Sequence, residues 1–325
     1  MNVSDIESIE LELTSRCNAA CPQCPRTNSD FLSELNHKRE ITVDNLQTWL
    51  PQEIYSNLKH IIFKGTFSDP LISKHFIDII EWIKENCASA KISIHTNGSL
   101  RNKNFWKWLA LNLPTGSKVT FAIDGLEDTH SIYRVNTDFN KIINNAKIFI
   151  ENGGNARWQY IIFKHNEHQI EQARNLSQKL GFKRFFTIYS DRTVENEFTR
   201  NYNSDKSITK DTERNHIIKN IVNKSVICQS LEKKEIFINW DGEVFPCCMT
   251  GVFAAKTKNY FDLSIWKKQI LQNDYTNNSL QHHTLSEILQ YFDSFYNTIE
   301  KEPKLRVCAK HCGIKSYQPI DNLLY

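Results

Sequence analysis

No apolar run in this 325-residue chain approaches membrane-spanning length. The N-terminus, MNVSDIESIE, lacks the basic and apolar regions of a secretion leader, so the expected location is the cytoplasm, with thiols kept reduced. Lys and Arg are scattered and the net charge is only +3, which leaves no electrostatic footprint for nucleic acid. A G-x-S-x-G nucleophile elbow, a P-loop and a complete G-x-G-x-x-G are all missing, as are internal repeats and low-complexity tracts. These absences argue against a serine hydrolase, a nucleoside-triphosphate site, a repeat array and a membrane protein. What remains is a globular composition, 40% hydrophobic and 24% charged, with nine cysteines.

The first part alternates strand and helix signals. Buried-type strands are expected at Ser8–Ser15, Leu58–Lys64, Lys91–His95, Lys118–Ile123, Trp158–Phe163 and Arg184–Tyr189. Helices are expected at Thr42–Ser56 (bent near Pro51), Ile72–Asn86, Asn102–Asn112, Phe139–Glu151 and Glu167–Leu180. Repeated strand–helix steps imply a parallel sheet with right-handed crossovers, doubly wound or barrel-like. Polar punctuation follows every strand: the loop Cys17–Cys24, Gly65–Pro70, Thr96-Asn97-Gly98, Asp124-Gly125, Lys164–Glu167 and Ser190-Asp191-Arg192. Ligands of α/β folds bind at these carboxyl ends. Strand ends need turn residues anyway, but turns do not require three cysteines.

Cys17, Cys21 and Cys24 are spaced C-x3-C-x2-C on one short loop, which suits a metal or an iron–sulfur cluster better than a disulfide. Three thiolates from one loop would leave one iron of a [4Fe–4S] cube open. The spacing alone would also fit a zinc loop, although no fourth Cys or His lies close behind Cys24. A second group, Cys228, Cys247, Cys248, Cys308 and Cys312, follows a polar linker at 193–227; a zinc knuckle is the bland alternative there. Short strands at Glu235–Asn239 and Glu243–Pro246 flank Asp241-Gly242, a hairpin dipeptide. A helix is expected over Thr284–Ile299, where Ser286-x-x-Leu289 lacks the acidic residue of a capping box. Cys87 is expected to be a packed core residue and His282-His283 solvated surface.

The run Cys17-Asn18-x-x-Cys21-x-x-Cys24, with Pro22, Pro25 and Arg26, resembles the radical S-adenosylmethionine (SAM) superfamily. The resemblance implies a partial (β/α)6 TIM barrel over residues 5–192, whose first cysteines hold a [4Fe–4S] cluster that binds SAM. It also implies a small α+β domain of the SPASM or twitch type over 228–325, holding one auxiliary [4Fe–4S] cluster. The ligands implied there are Cys228, Cys247, Cys308 and Cys312; Cys247 and Cys248 are neighbours pointing to opposite sides, so one of them is expected to ligate.

In the same family, Gly65, Thr66 and Asp69 correspond to a glycine-rich segment around the SAM amino group. Thr96-Asn97-Gly98 matches a common T-N-G, and Arg134, after Asp124-Gly125, would grip the SAM carboxylate. Three departures stand out. Gln23 replaces the usual aromatic residue beside adenine, which makes Phe163 the expected packing partner; one glycine of a usual pair is missing after Gly65; and Ala122 stands where relatives carry a Ser for ribose.

The implied reaction removes a hydrogen atom from an unactivated C–H bond, with the auxiliary cluster accepting an electron to make the net change an oxidation. The expected substrate is a sugar- or aminocyclitol-like small molecule or a directly bound peptide, since the chain starts almost at its first strand. An electron donor such as flavodoxin or ferredoxin is implied. Tyr189, Asp191 and Arg192, at the end of the sixth strand, are the candidates for a substrate acid/base or anchor. A non-catalytic zinc or iron–sulfur scaffold is the alternative from another class.

Overall fold

The computed structural model describes residues 1–24, 26–27, 39–189, 226–251, 277–298, 308 and 312, with the backbone alone at 189, 294 and 298. Its strands are β1 (Ser8–Leu11), β2 (His60–Phe63), β3 (Lys91–Thr96), β4 (Lys118–Ala122), β5 (Ala156–Ile162), β6 (Arg184–Tyr189), β7 (Glu235–Ile238) and β8 (Val244–Phe245). They form one sheet in the order β6-β5-β4-β3-β2-β1-β7-β8. Every pair is parallel except the β7–β8 hairpin. The longer helices among the described residues are α1 (Val43–Trp49), α2 (Phe76–Asn86), α3 (Lys103–Asn112), α4 (Phe139–Glu151), α5 (Ile170–Lys179) and α6 (Leu285–Thr298), with single turns at His130–Tyr133 and Gln229–Glu232.

Parallel register puts paired residues on one face, and residues two apart along a strand share it. Ile9, Leu11 and Leu13 share a face with Ile61, Phe63, Ile92, Ile94, Val119, Phe121 and Trp158. All are buried in one core with Phe76, Ile80 and Ile83 of α2, Trp106 and Leu109 of α3, and Ile142 and Phe149 of α4. Trp106 lies 5.1 Å from the Phe121 ring and donates its indole N–H to the Leu100 carbonyl. The opposite face carries Ser8, Glu10, Ser93, His95, Thr120, Arg157 and Gln159, and this polar inner face is where a site can form.

Local signals set the boundaries. Asn102 and Asp138 accept the amides of Phe105 and Lys141 and start α3 and α4. The helix expected through Ser56 stops at Trp49, because the residue before Pro51 is barred from helical geometry; a 3-10 turn at Gln52–Ile54 follows. At α6 a capping box does exist, two residues before the register considered above: Thr284 and Glu287 exchange hydrogen bonds. The C-terminal hairpin is continuous with the first sheet, because β7 pairs in parallel with β1 from Ser8↔Glu235 to Leu11↔Ile238.

Candidate functional site

The loop that leaves β1 is tied to its neighbours before any ligand is considered. Ala20 donates its amide to the Val135 carbonyl, Cys24 to that of Cys21, and Asp69 to that of Arg16. Asn18 is gripped from both sides: its Oδ1 accepts from Asn97 Nδ2 at 2.9 Å, and its Nδ2 donates to Ser99 Oγ at 2.8 Å. Asn97 Nδ2 also lies 3.9 Å from the Cys17 sulfur. Arg16 forms an ion pair with Glu40, whose carboxylate also accepts from Ser73 Oγ and the Lys74 backbone amide. Cys17, Cys21 and Cys24 gather in a small apolar nest with Ala19, Tyr133, Ile161 and Phe163, separate from the main core.

Asp69 and Thr96-Asn97 form the second layer. The Asp69 carboxylate accepts from Thr96 Oγ1, from the Asn97 amide at 2.7 Å and from the Leu71 amide. Asp69, one of the expected cofactor contacts, is buried and pins the turn after β3 to the loop after β2. Gly65 is demanded by the same loop, since a Cβ there would fall 1.7 Å from the Ser68 carbonyl oxygen. Thr66 is half-buried beside it, and Gln23 is buried.

Asp124 is the third anchor. One carboxylate oxygen accepts from the Ile161 amide at 2.6 Å, and the other from Arg134 Nε at 2.6 Å. A nitrogen of the same guanidinium, Nη1, lies 3.8 Å from the Cys21 sulfur, and the group sits 5.5 Å from the Tyr133 ring centre. His130 Nδ1 accepts the Asp124 amide, which leaves the Nε2 proton to face Thr137 Oγ1. Burial, with Arg134 adding to it, pushes the His130 pKa down to about 3, so the ring is neutral. Phe163 is wholly buried between Tyr133, with ring centres 4.2 Å apart, and His165, stacked at 5.4 Å. Asn166 holds the Phe163 amide and reaches back to the Asp124 carbonyl.

Burial raises the thiol pKa of Cys17 to about 12 and that of Cys21 above its ordinary value. Such thiols are neutral unless a metal takes them, and ligation deprotonates them outright. Among the described residues no three Cys, His, Asp or Glu side chains close on a single-ion position. The donor set, three thiols in an apolar nest with a cation beside one of them, suits a bulky, negatively charged iron–sulfur cluster.

The C-terminal cysteines sort themselves by neighbour. Cys247 lies in the electrostatic field of Cys228 and Cys312, and Cys228 in that of Cys312. Tyr296 feels Cys228, Cys247 and Cys308. Cys312 also accepts the Ile227 amide on its carbonyl. Cys248 lies instead in the field of the buried Glu10 carboxylate, on the inner face of the sheet, and burial with that charge holds its thiol well above the ordinary pKa. Asp191 and Arg192 lie outside the described residues, as does the side chain of Tyr189.

Two acids escaped the sequence reading. Glu10 and Glu12 alternate with Ile9, Leu11 and Leu13, and both are buried. Glu12 Oε1 accepts from the Phe67 amide at 2.7 Å and from Ser68 Oγ at 3.0 Å, so it clamps the loop after β2. The signal was present: a parallel strand covered on both faces should be apolar throughout, and acids two apart mark a polar interior.

Residues 228–313 match the family model of SPASM, an iron-sulfur cluster-binding domain. SuiB from Streptococcus suis, solved with S-adenosylmethionine, aligns over 80% of this chain and 65% of its own, at 14% identity and a TM-score of 0.56. Solved with its precursor peptide SuiA, it aligns over 83% and 66%, at 15% identity and a TM-score of 0.57. The chain thus spans just under two thirds of SuiB. The protein anSMEcpe with bound AdoMet aligns over 90% of this chain and 93% of its own, at 14% identity and a TM-score of 0.54. The shared feature is the fold, a partial barrel built on a parallel sheet. No curated protein matches in sequence. No described helix is long and apolar enough to cross a membrane.

Proposed function

We propose that this chain is a radical SAM enzyme with one auxiliary iron–sulfur cluster. The carrying observation is the closed nest of Cys17, Cys21 and Cys24 at the carboxyl end of the sheet, packed on Tyr133 and Phe163 with Arg134 against Cys21. Cys17, Cys21 and Cys24 would hold a [4Fe–4S] cluster with SAM on its open iron. When bound, the pair supplies one-electron cleavage of a sulfonium and, from it, a radical able to remove hydrogen from an unactivated C–H bond. Cys228, Cys247, Cys308 and Cys312 would hold the auxiliary cluster. SuiB with S-adenosylmethionine and anSMEcpe with AdoMet share the fold and support this reading.

The chain's own residues position and insulate. Asn18, Asn97 and Asp69 lock the cysteine loop to the turns after β2 and β3. Arg134, pinned through Nε by Asp124, retains its other N–H groups for the anionic cluster or the SAM carboxylate. Phe163 and Tyr133 form an apolar wall beside the cysteines that excludes water from a reactive radical. Thr66, Thr96 and Gln23 stand around the same loops as the remaining SAM contacts. Glu10 and Lys64 give the inner face polar character where a hydroxyl- or amine-bearing small molecule, or a peptide, would lie. Tyr189, Asp191 and Arg192 are the proposed substrate acid/base or anchor. A small electron donor of the flavodoxin or ferredoxin type would supply reducing equivalents, and a net oxidation would use the auxiliary cluster as acceptor. We place the reaction in the cytoplasm, where thiols stay reduced.

The test is iron and sulfide on anaerobically reconstituted protein, beside a Cys17→Ala/Cys21→Ala/Cys24→Ala variant. About eight irons falling to about four is the expected result, with 5′-deoxyadenosine made from SAM under reduction only by the parent. Zinc in place of iron in both proteins would establish the scaffold alternative instead.

A further inference from the structure

At the amino ends of the strands, opposite the cysteine loop, the inner face of the sheet carries a row of cations. His60 opens β2 and pairs with Lys91, which opens β3. Lys118 opens β4 beside Ser93, Arg157 on β5 lies beside Thr120, and Arg184 opens β6 directly beside Arg157. Each pairing keeps the residue on the same face, so five consecutive strands, about 4.8 Å apart, contribute one basic side chain each to one surface.

Among the described residues, none of Lys91, Lys118, Arg157 and Arg184 makes a salt bridge or a side-chain hydrogen bond to a carboxylate. Glu7, the carboxylate felt by His60, is already shared by Lys59 at 2.5 Å and Lys234 at 2.7 Å. Arg157 Nε is buried with no hydrogen-bond partner. Burial, together with Arg157, Arg184 and Lys91, lowers the Lys118 pKa, and burial with Arg184 lowers that of Arg157. The field extends upward: burial, Lys64, Lys118 and Arg157 push His95 down to about 3. Lys118, Arg157 and Arg184 are half-buried, so water screens them less than ordinary surface charges. Arg184 rests over the Phe186 ring, 5.7 Å from its centre, but like charges held this way still weaken the fold.

We infer that this row is a binding site for a small multivalent oxyanion, a phosphoryl or sulfuryl group seated between Arg157 and Arg184 with Lys118 beside them. Adjacent guanidinium forks on neighbouring strands match the oxygens of such a group, and Arg157 Nε supplies a donor that is otherwise unused. Lys91 and His60, more exposed, attract the anion at the rim. The site lies at the other end of the sheet from the cysteines and does not depend on the cofactor chemistry proposed above.

The experiment uses the full chain, following thermal unfolding and titration calorimetry with inorganic pyrophosphate, inorganic phosphate and sulfate, each against sodium chloride at matched ionic strength. Saturable binding of pyrophosphate and a rise in melting temperature absent with chloride are expected. Arg157→Gln/Arg184→Gln should weaken that binding about tenfold or more while melting no lower than the parent without anion. Should the double variant fail to fold, Lys118→Gln carries the test, and its pyrophosphate affinity must fall. Phosphate and sulfate distinguish a phosphoryl-selective site from a general oxyanion site. Equal effects of chloride and pyrophosphate, undiminished affinity in the variants, or binding of heparin without pyrophosphate would each overturn the inference.

Discussion

Arg134 gives its Nε to Asp124 at 2.6 Å and leaves Nη1 3.8 Å from the Cys21 sulfur. This pair joins the turn after β4 to the cysteine loop, and both side chains are buried or nearly so. Removing the charge of one partner strands the other in a low-dielectric interior. Asp124→Asn should therefore destabilise the protein by about 3–5 kcal/mol. Urea unfolding followed by far-UV circular dichroism measures it; a loss below about 1 kcal/mol, typical of an exposed pair, would show that water reaches Arg134.

Glu12 offers a pH test. Burial raises its folded-state pKa to about 8 from an ordinary 4.5. Between these values the folded protein binds more protons than the unfolded chain, so this contribution is fully present below 4.5 and is lost as pH rises through 8. The slope from one such group is at most about 1.4 kcal/mol per pH unit. Glu12→Gln keeps an oxygen for Phe67 and Ser68 and carries no charge, so relative to the parent it should gain stability steadily from pH 5 to 8. Parallel pH profiles for the two proteins would mean that Glu12 is solvated.

Gly65 sits where a methyl group would collide with the Ser68 carbonyl at 1.7 Å. Because that obstacle is backbone, Gly65→Ala must open the loop that Glu12 and Asp69 hold closed. A cost of about 1–3 kcal/mol is expected. If the loop carries the SAM amino group, SAM affinity by equilibrium dialysis should fall more than Glu12→Gln makes it fall. An unchanged melting temperature would show that the loop already adopts another path.

Much of this architecture was legible because the sequence punctuates each buried strand. Ile61-Ile62-Phe63, Ile92-Ser93-Ile94 and Val119-Thr120-Phe121 are each followed by Gly, Asn or Asp, and each became a parallel strand. The cysteine spacings were legible as well, since ligand chemistry tolerates few alternatives. Pairings across long sequence separation were not. Nothing local announces that Glu235–Ile238 adds to the free edge of β1, because an edge pairing is settled by three-dimensional packing. Nor does it reveal that Asp124 holds Arg134, or that Asp69 spends its carboxylate on Thr96 and Asn97.

Cys247 and Cys248 put the proposed ligand assignment to its sharpest test. The chain leaves β8 at Phe245 and enters a helical turn at Cys248, and the two neighbouring thiols meet different company. Cys247 shares the surroundings of Cys228 and Cys312, whereas Cys248 lies in the field of Glu10. Cys247→Ser should take reconstituted iron from about eight to about four per chain and leave SAM cleavage in place, since the first cluster is built elsewhere. Cys248→Ser should retain about eight irons, because the auxiliary ligands are untouched. Its effect should fall on turnover of substrate lying against the inner face. Iron lost from Cys248→Ser but not from Cys247→Ser would invert the assignment and require the hairpin end to rotate when the cluster is loaded.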